Sequence, residues 1–474
     1  MPGLPDVNVN ILDGGLGVLP PSASGLQAKV GVCSAGTVNS ITSITDPGQI
    51  VDKLGTGPLV NALFDSFAGG ARTVYVVRAE GDIAGTVGEV SSDKIGQGDM
   101  TAAGSPLDAY SVVVEILDGG TLNEAIFRYS LDGGDTWSKK ITVPELGAYE
   151  ITGTGITLTF SEYATDPAQS FAAGDKYTFS TEAPQASVAK VNEAIDTLLD
   201  SSYLFEFIHI VGESDAAMWA AADVKAAEAE GNYRYIHMLC EARGPDSGED
   251  ADAWTQALLD EIANFASTRV SICAGRGEIM DMNTGRQVDR NAAGLYAGRV
   301  SSIGVQESPG KVRLGPVPGI LALKPDGIND GHILALDQAG FVTFRQYIGL
   351  SGFYITNGRI AAESVSDYQY VEVRRPMDRA CTLVRNAALK SEHGELDPTN
   401  LSQSIKPLEA DLTQPLEIMS SPSNKEIARG RVIIPLDQDI LATSTIRAKI
   451  RIVPMAIMRW IELEVGYENP AASQ

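Results

Sequence analysis

The stretch Ile446 to Tyr467, IRAKIRIVPMAIMRWIELEVGY, places the tightest constraint on what this chain can become. It parses into two strand-like runs on either side of Pro454. In the first, Ile446, Ala448, Ile450 and Ile452 alternate with Arg447, Lys449 and Arg451; in the second, Ile461, Leu463, Val465 and Tyr467 alternate with Trp460, Glu462 and Glu464. A period of two sets the apolar residues on one face and the charges on the other. One run thus has a basic outer face and the other an acidic one, a match that can be made within the chain or between chains. A regular strand of this kind suits addition to the sheet edge of a neighbour. Val7-Asn8-Val9-Asn10-Ile11-Leu12 offers a counterpart near the beginning. The basic run is expected to stay in the subunit's own sheet. The acidic run, through Ile461, Leu463, Val465 and Tyr467, and the early run, through Val7, Val9 and Ile11, are the candidates for strand exchange between subunits. Strand-like segments flanking a large body point to an assembly protein.

With 474 residues, 44% of them hydrophobic, the chain has room for two to four domains with substantial cores. Its net charge of −25 argues against coating nucleic acid, which needs basic surface, and favours partners that offer local basic patches. The opening MPGLPDVNV has neither the basic nor the apolar region of a secretory signal, and no apolar run reaches the ~18 residues of a membrane span. Cys33, Cys240, Cys273 and Cys381 are far apart, and three sit in apolar runs (VGVCSAG, IHMLCEA, VSICAG), as buried free thiols do.

Residues 1–27 read as an arm with no core of its own. A strand over Ala28 to Cys33, a helix over Pro58 to Phe67 stopped by Gly69-Gly70, and a strand over Arg72 to Arg78 then open an α/β pattern. Helical periodicity disappears over 86–185, where β runs recur between Gly/Asp turns: Tyr110 to Leu117, Ala125 to Leu131, Tyr149 to Phe160 and Lys176 to Thr181. This is the pattern of an inserted β-sandwich. The α/β pattern resumes with three strand–helix repeats: Phe205 to Val211 and Asp215 to Glu230, Tyr233 to Cys240 and Ala251 to Ala266, then Arg269 to Ala274 and Asn291 to Ser302. Near-continuous apolar strands alternating with helices predict a mostly parallel sheet covered on both faces. The expected fold class is α/β, α+β overall. Residues 28–85 and 186–319 form the α/β core, 86–185 the insertion, and 320–474 a carboxy-terminal domain with one helix after Arg375 and a terminal strand arm.

Chemistry-bearing constellations weigh toward structural roles. Ser130-Leu131-Asp132-Gly133-Gly134-Asp135-Thr136-Trp137 matches the Asp-box hairpin of sialidase propellers, but a propeller needs one box per blade and only one is present. Here Asp accepts turn N–H groups and Gly permits positive φ. His209 and His237 occupy equivalent places in adjacent repeats, but Cys240, an odd number of residues from His237, faces away and cannot complete a metal site. Asp246, Glu249, Asp250 and Asp252 lack the spacing of a calcium loop and complement the dipole of the helix that follows. Gly275-Arg276-Gly277 is half a dinucleotide fingerprint. No nucleophile, base and acid can be assembled, so no catalytic residue, metal ligand or cofactor is expected.

Three stretches resemble the contractile tail-sheath family of phages and related injection machines, including R-type bacteriocins. The first, GTGPLVNALFDSFAGGARTVYVVRA from Gly55 to Ala79, is similar to that family's turn, helix ending in Phe, paired-glycine stop and strand ending in Val-Arg. The second, GLSGFYITNGRIAAESVSDYQYVEVRRPMD from Gly349 to Asp378, resembles its glycine-rich strand, Arg-initiated second strand, Ser-Asp pair and Tyr-rich strand closing in Val-x-Val-Arg-Arg. The closing strand pair is the third. The chain departs from the better-known members between Arg375 and Arg431, where only one helix and a Pro-broken loop can be read instead of a long helical segment. The resemblance implies a non-enzymatic subunit that stacks in hexameric rings as a helical sheath around a tail tube and contracts to drive the tube through a cell envelope. It implies as partners other copies of the chain, the tube protein, and baseplate and tail terminator proteins, without direct contact to nucleic acid or insertion in a membrane. Its place would be the virion tail, assembled in the host cytoplasm. Arg374, Arg375, Arg379, Arg385 and Lys390 are the candidate basic patch toward an acidic tube; their other reading is a solvated helix face. The alternative class is a non-sheath phage structural protein or adhesin whose β insertion binds glycans.

Overall fold

The computed structural model describes residues 24–467, so Val7, Val9 and Ile11 lie outside the described residues. Seven short strands form the central sheet, in spatial order Phe341–Val342, Val270–Cys273, His237–Ala242, Phe207–Ser214, Gln27–Gly31, Val74–Arg78 and Ile41–Ile44. All neighbours are parallel except the last pair. Phe207–Ser214 leads into helix Ala216–Gly231, and His237–Ala242 into helix Ala251–Ile262. Crossover helices of this kind return the chain to the same end of the sheet and so make neighbouring strands parallel.

Both faces are covered, which is why the strands read as nearly continuous apolar runs. On one face Val30, Ile208, Met238 and Ile272 pack with Ile195 of helix Val188–Leu199, with Trp219, and with Trp254 and Leu258. On the other, Phe207, Leu239 and Cys273 meet Leu295, Tyr296 and Val300 of helix Ala293–Ser302. Val74 and Val76 meet Leu59 and Leu63 of helix Pro58–Ala68 on that side. The mixed α/β class follows from the sequence pattern. Three features do not: helices Val188–Leu199 and Asp330–Ala339 do not stand out in the sequence, and a hairpin, Arg276–Met280 with Gln287–Asn291, separates the third strand from its helix.

Residues 91–180 build two antiparallel sheets, one of three strands around Ile156–Ser161 and one of five around Ser111–Asp118. They share a core of their own that includes Val114, Ile116, Phe127, Leu158, Phe160 and Tyr177. The run from Tyr149 to Phe160, read as one strand, is two, Ala148–Ile151 and Ile156–Ser161. Gly153 and Gly155, both at positive φ, turn the chain between them.

In the carboxy-terminal part, helices Val371–Ala388 and Lys406–Ser420 pack through Ala380, Val384, Leu412, Leu416 and Met419. Val432, Ile450 and Ile452 of an antiparallel hairpin, Arg429–Ile433 with Lys449–Val453, cover this small core. The basic run thus sits in a sheet of its own chain. Two readings need correction. Val371-Glu372-Val373-Arg374-Arg375 is not a strand but the start of a helix, because Val371, Arg374, Arg375 and Asp378 are buried at helical spacing. The Pro-broken loop is the helix Lys406–Ser420; Pro407 sits in its first turn, where no N–H is missed, and packing of Leu412, Leu416 and Met419 carries it past Pro415.

Helices Pro58–Ala68 and Ala293–Ser302 approach backbone to backbone. A Cβ on Gly298 would lie 2.3 Å from the Ser66 carbonyl oxygen and 2.8 Å from the Gly69 Cα. Gly298→Val is expected to destabilise the protein by ~2 kcal/mol or more, because the helices must separate to admit it. Urea unfolding of the two proteins measures the difference.

Candidate assembly interface

The arginine helix Val371–Ala388 is fastened to the α/β body by buried ion pairs. Arg375 donates from Nε to Glu206 Oε1 at 2.7 Å and from a terminal nitrogen to Glu206 Oε2 at 3.1 Å. The same guanidinium reaches the carbonyls of Ile303 and Gly304, both at 3.3 Å. Glu206 also accepts from the Gly25 backbone N–H at 3.0 Å, so it fixes the point where the amino-terminal segment enters. One turn on, Asp378 accepts from Arg374 at 2.6 Å and from Arg269 at 3.2 Å, and Arg269 also donates to Glu230 at 2.7 Å. Burial raises the Asp378 carboxyl above its ordinary range, against the pull of Arg374 and Arg269. His237 is stacked on Phe207 in the same region. Burial first, and then the nearby Arg375, Arg374 and Arg269, hold it well below its ordinary value, so it is neutral.

This placement takes Arg374 and Arg375 out of any basic surface patch: both are buried and spent on partners within the chain. Arg379 is half-buried and pairs with Glu426 at 2.7 Å. Arg385 lies over the Tyr233 ring at 4.3 Å, and Lys390 alone of the five is exposed. The sequence signal for the network was present in the spacing of Arg374 and Asp378, four residues apart on one helix face.

The carboxy-terminal arm follows the hairpin strand Lys449–Val453 and is anchored on the same helix. Past Val453 the chain forms neither helix nor strand up to Tyr467. Arg459 ties it down, donating to the buried Glu372 at 2.5 Å and lying over the Tyr370 ring at 3.5 Å. Beyond that anchor Ile461, Leu463, Val465 and Tyr467 are 70%, 80%, 93% and 110% exposed. The expected strand over Trp460 to Tyr467 is therefore not formed in the described chain: these four side chains are uncovered and their segment is paired with nothing there. Among the described residues the hairpin Arg429–Ile433 with Lys449–Val453 is a two-stranded sheet, so each of its strands has one unpaired edge there.

The other constellations are satisfied internally. Asp132 accepts from the Thr136 backbone at 2.9 Å and its hydroxyl at 2.5 Å, and Ser130 Oγ accepts from the Gly134 N–H at 2.8 Å, closing the Asp-box turn. His209 bridges Lys29 at 2.5 Å and Glu241 at 2.8 Å, while Cys240 packs in the core on the opposite face. Glu249 pairs with Arg243, Asp250 caps the Ala251–Ile262 helix, and Asp252 meets His332 at 2.6 Å. Among the described residues, no group of three or more His, Cys, Asp and Glu side chains is arranged to hold a metal ion. Nor is any helix there long and apolar enough to cross a membrane.

Residues 4–359 match the family model described as DUF2586, N-terminal domain, and residues 367–472 match DUF2586, C-terminal domain. The chain belongs to the DUF2586 family. No curated protein matches it. Among solved structures, this DUF2586 chain is similar to the sheath complex of an extracellular contractile injection system, PVC, in its contracted state. The TM-score is 0.55 at 12% identity, over 99% of this chain and 98% of that one. It is equally similar to the helical sheath of the anti-feeding prophage in its contracted state, with a TM-score of 0.55 at 11% identity, over 99% and 100%. A chain of the anti-feeding prophage baseplate gives 0.52 at 12% identity, over 99% and 100%. The described residues of the DUF2586 chain therefore have the contractile-sheath fold.

Arg375→Leu leaves Glu206 buried without its cation and is expected to cost ~3–5 kcal/mol in equilibrium unfolding, whereas Lys390→Ala changes stability by less than ~0.5 kcal/mol. His237 supplies a pH signature. Its folded pKa is lowered, so the stability it confers is present above the unfolded value of about 6.5 and is lost as pH falls. Relative to His237→Phe, the wild type should lose up to ~1.4 kcal/mol per pH unit below that point, read from unfolding curves between pH 7 and 5.

Proposed function

We propose that the chain is a subunit of a contractile sheath, polymerising as stacked hexameric rings around a tail tube and contracting to drive that tube through a cell envelope. The observation that carries this reading is the coexistence, among the described residues, of an uncovered arm whose sequence alternates as a strand does and a hairpin with two unfilled edges, in a chain of contractile-sheath fold. An arm that adds to the hairpin of another copy links the two by main-chain hydrogen bonds, each worth ~0.5–1.5 kcal/mol net. Such links persist while the bodies they join rotate, and new contacts between bodies supply the work of contraction. Residues 7–12 serve the other edge in the same way, so Val7, Val9, Ile11, Ile461, Leu463, Val465 and Tyr467 are the exchange residues.

The further partners are the tube protein within and baseplate and terminator proteins at the two ends; the assembled particle is a phage tail or a related injection machine, put together in the host cytoplasm. No nucleotide is needed, because the energy is stored when the sheath assembles. With Arg374 and Arg375 buried, any basic contact to the tube falls to Lys390 and the exposed edges of Arg379 and Arg385. Purified full-length chain should form tubes or six-fold rings in negative-stain images. Deleting residues 1–20, or 460–474, should leave a soluble chain with unchanged circular dichroism that sediments as small species. Polymerisation of both truncations at the wild-type level would contradict the proposal.

A further inference from the structure

The outer face of the carboxy-terminal hairpin carries a ladder of four cations, ended by Ile433 opposite Lys449 and Val453 opposite Arg429. Arg431 and Arg451 stand directly opposite each other, with Arg429 two residues along one strand and Lys449 two residues along the other; all four are exposed. Among the described residues none of the four has an ion-pair partner. Like charges facing each other across a sheet weaken it. In a chain of net charge −25, four such cations on one small face are a concentrated exception.

The inner face of the same hairpin is apolar, with Val432, Ile450 and Ile452 on the core around Leu416. A strand added beside either edge must continue both layers, apolar residues inward and polar residues outward. The arm meets this requirement. With Ile461, Leu463 and Val465 inward, Glu462 and Glu464 point outward, separated by two positions as Arg429 and Arg431 are, and as Lys449 and Arg451 are. The arm does not turn back on its own hairpin: Arg459 holds it on Glu372, and its apolar residues stay uncovered.

We infer that the cationic ladder is the recognition surface for the acidic arm of a second copy of this chain, with Glu462 and Glu464 answering the basic pairs. This rests on the reading of the arm as an exchanged strand and adds the side chains that choose partner and register. A slip of one residue turns both glutamates into the apolar layer. A slip of two leaves one glutamate beside Ile433 or Val453, or past the end of the ladder.

Charge exchange tests it. Three full-length variants are compared with wild type by light scattering and sedimentation, after circular dichroism confirms that each is folded: Arg431→Glu with Arg451→Glu, Glu462→Arg with Glu464→Arg, and all four substitutions in one chain. Arg431 and Arg451 lie on different edges, so one of them borders the incoming strand whichever edge it takes. Each two-site variant alone should raise the concentration needed for polymerisation at least about tenfold, because like charges then face each other at the joint. The four-site chain, and an equimolar mixture of the two two-site variants, should return to near the wild-type concentration. Polymerisation of all variants alike, or a four-site chain no better than either parent, overturns the ladder and leaves the sheath reading standing. Rescue by the four-site chain but not by the mixture assigns the contact to the arm's own chain and overturns the second copy. A wild-type chain that never self-associates overturns both.

Discussion

A two-stranded sheet leaves a row of backbone groups unpaired on each side, and the hairpin Arg429–Ile433 with Lys449–Val453 is such a sheet. Its inner face rests on Leu416 and neighbours, so it is anchored, but nothing within the described chain completes it. The chain does contain a segment of matching period, Trp460 to Tyr467, and holds it elsewhere. Unfilled edges and an uncovered segment of strand-like sequence on one molecule give a unit that can be completed by another copy of itself. Each copy can donate its arms and accept those of other copies, and the linkage has no natural end. An unlimited linkage of this kind is what a sheath requires and what a closed enzyme avoids.

For such links to carry force, the points of attachment must be rigid. The Val371–Ala388 helix supplies that rigidity through Arg375, Arg374 and Asp378, which bind it to Glu206 and Arg269 of the α/β body. Buried pairs of this sort add little net stability, since desolvation offsets most of the attraction, but they are costly to break one partner at a time. They favour a single orientation over a range of them. The amino-terminal entry at Gly25 and the carboxy-terminal anchor at Arg459 both attach to this region, one through Glu206 and the other through Glu372. Under the proposed exchange, load on either attachment point would reach the same helix.

The sheet was legible because burial on both faces writes itself into runs such as Phe205 to Val211; Trp460 to Tyr467 has the alternation of a strand but forms none in the described chain, where it has no ladder partner. The basic patch misled for a physical reason. Arginines in an acidic chain look like an outward face when each is taken singly, and only the distant Glu206 and Glu230, and Asp378 in its helical register, reveal them as interior. Val371-Glu372-Val373 mimics a strand by alternation too short to distinguish a period of two from one of 3.6. The Pro415 helix escaped notice because its support comes from Ala380 and Val384 across the helix pair rather than from its own propensity. The residues that anchor the arm, Arg459 and Glu372, carry no local signal: they lie 87 positions apart.

The placement of the arm in the assembled state is the point on which function turns, and a cryo-electron microscopy map of the polymer at residue resolution measures it. Residues 461–467 are predicted to form an added strand on the 429–433/449–453 hairpin of a different copy, with Glu462 and Glu464 on the arginine-bearing face. A polymer in which every hairpin keeps only its own two strands, or carries its own chain's arm, would contradict strand exchange as the basis of assembly.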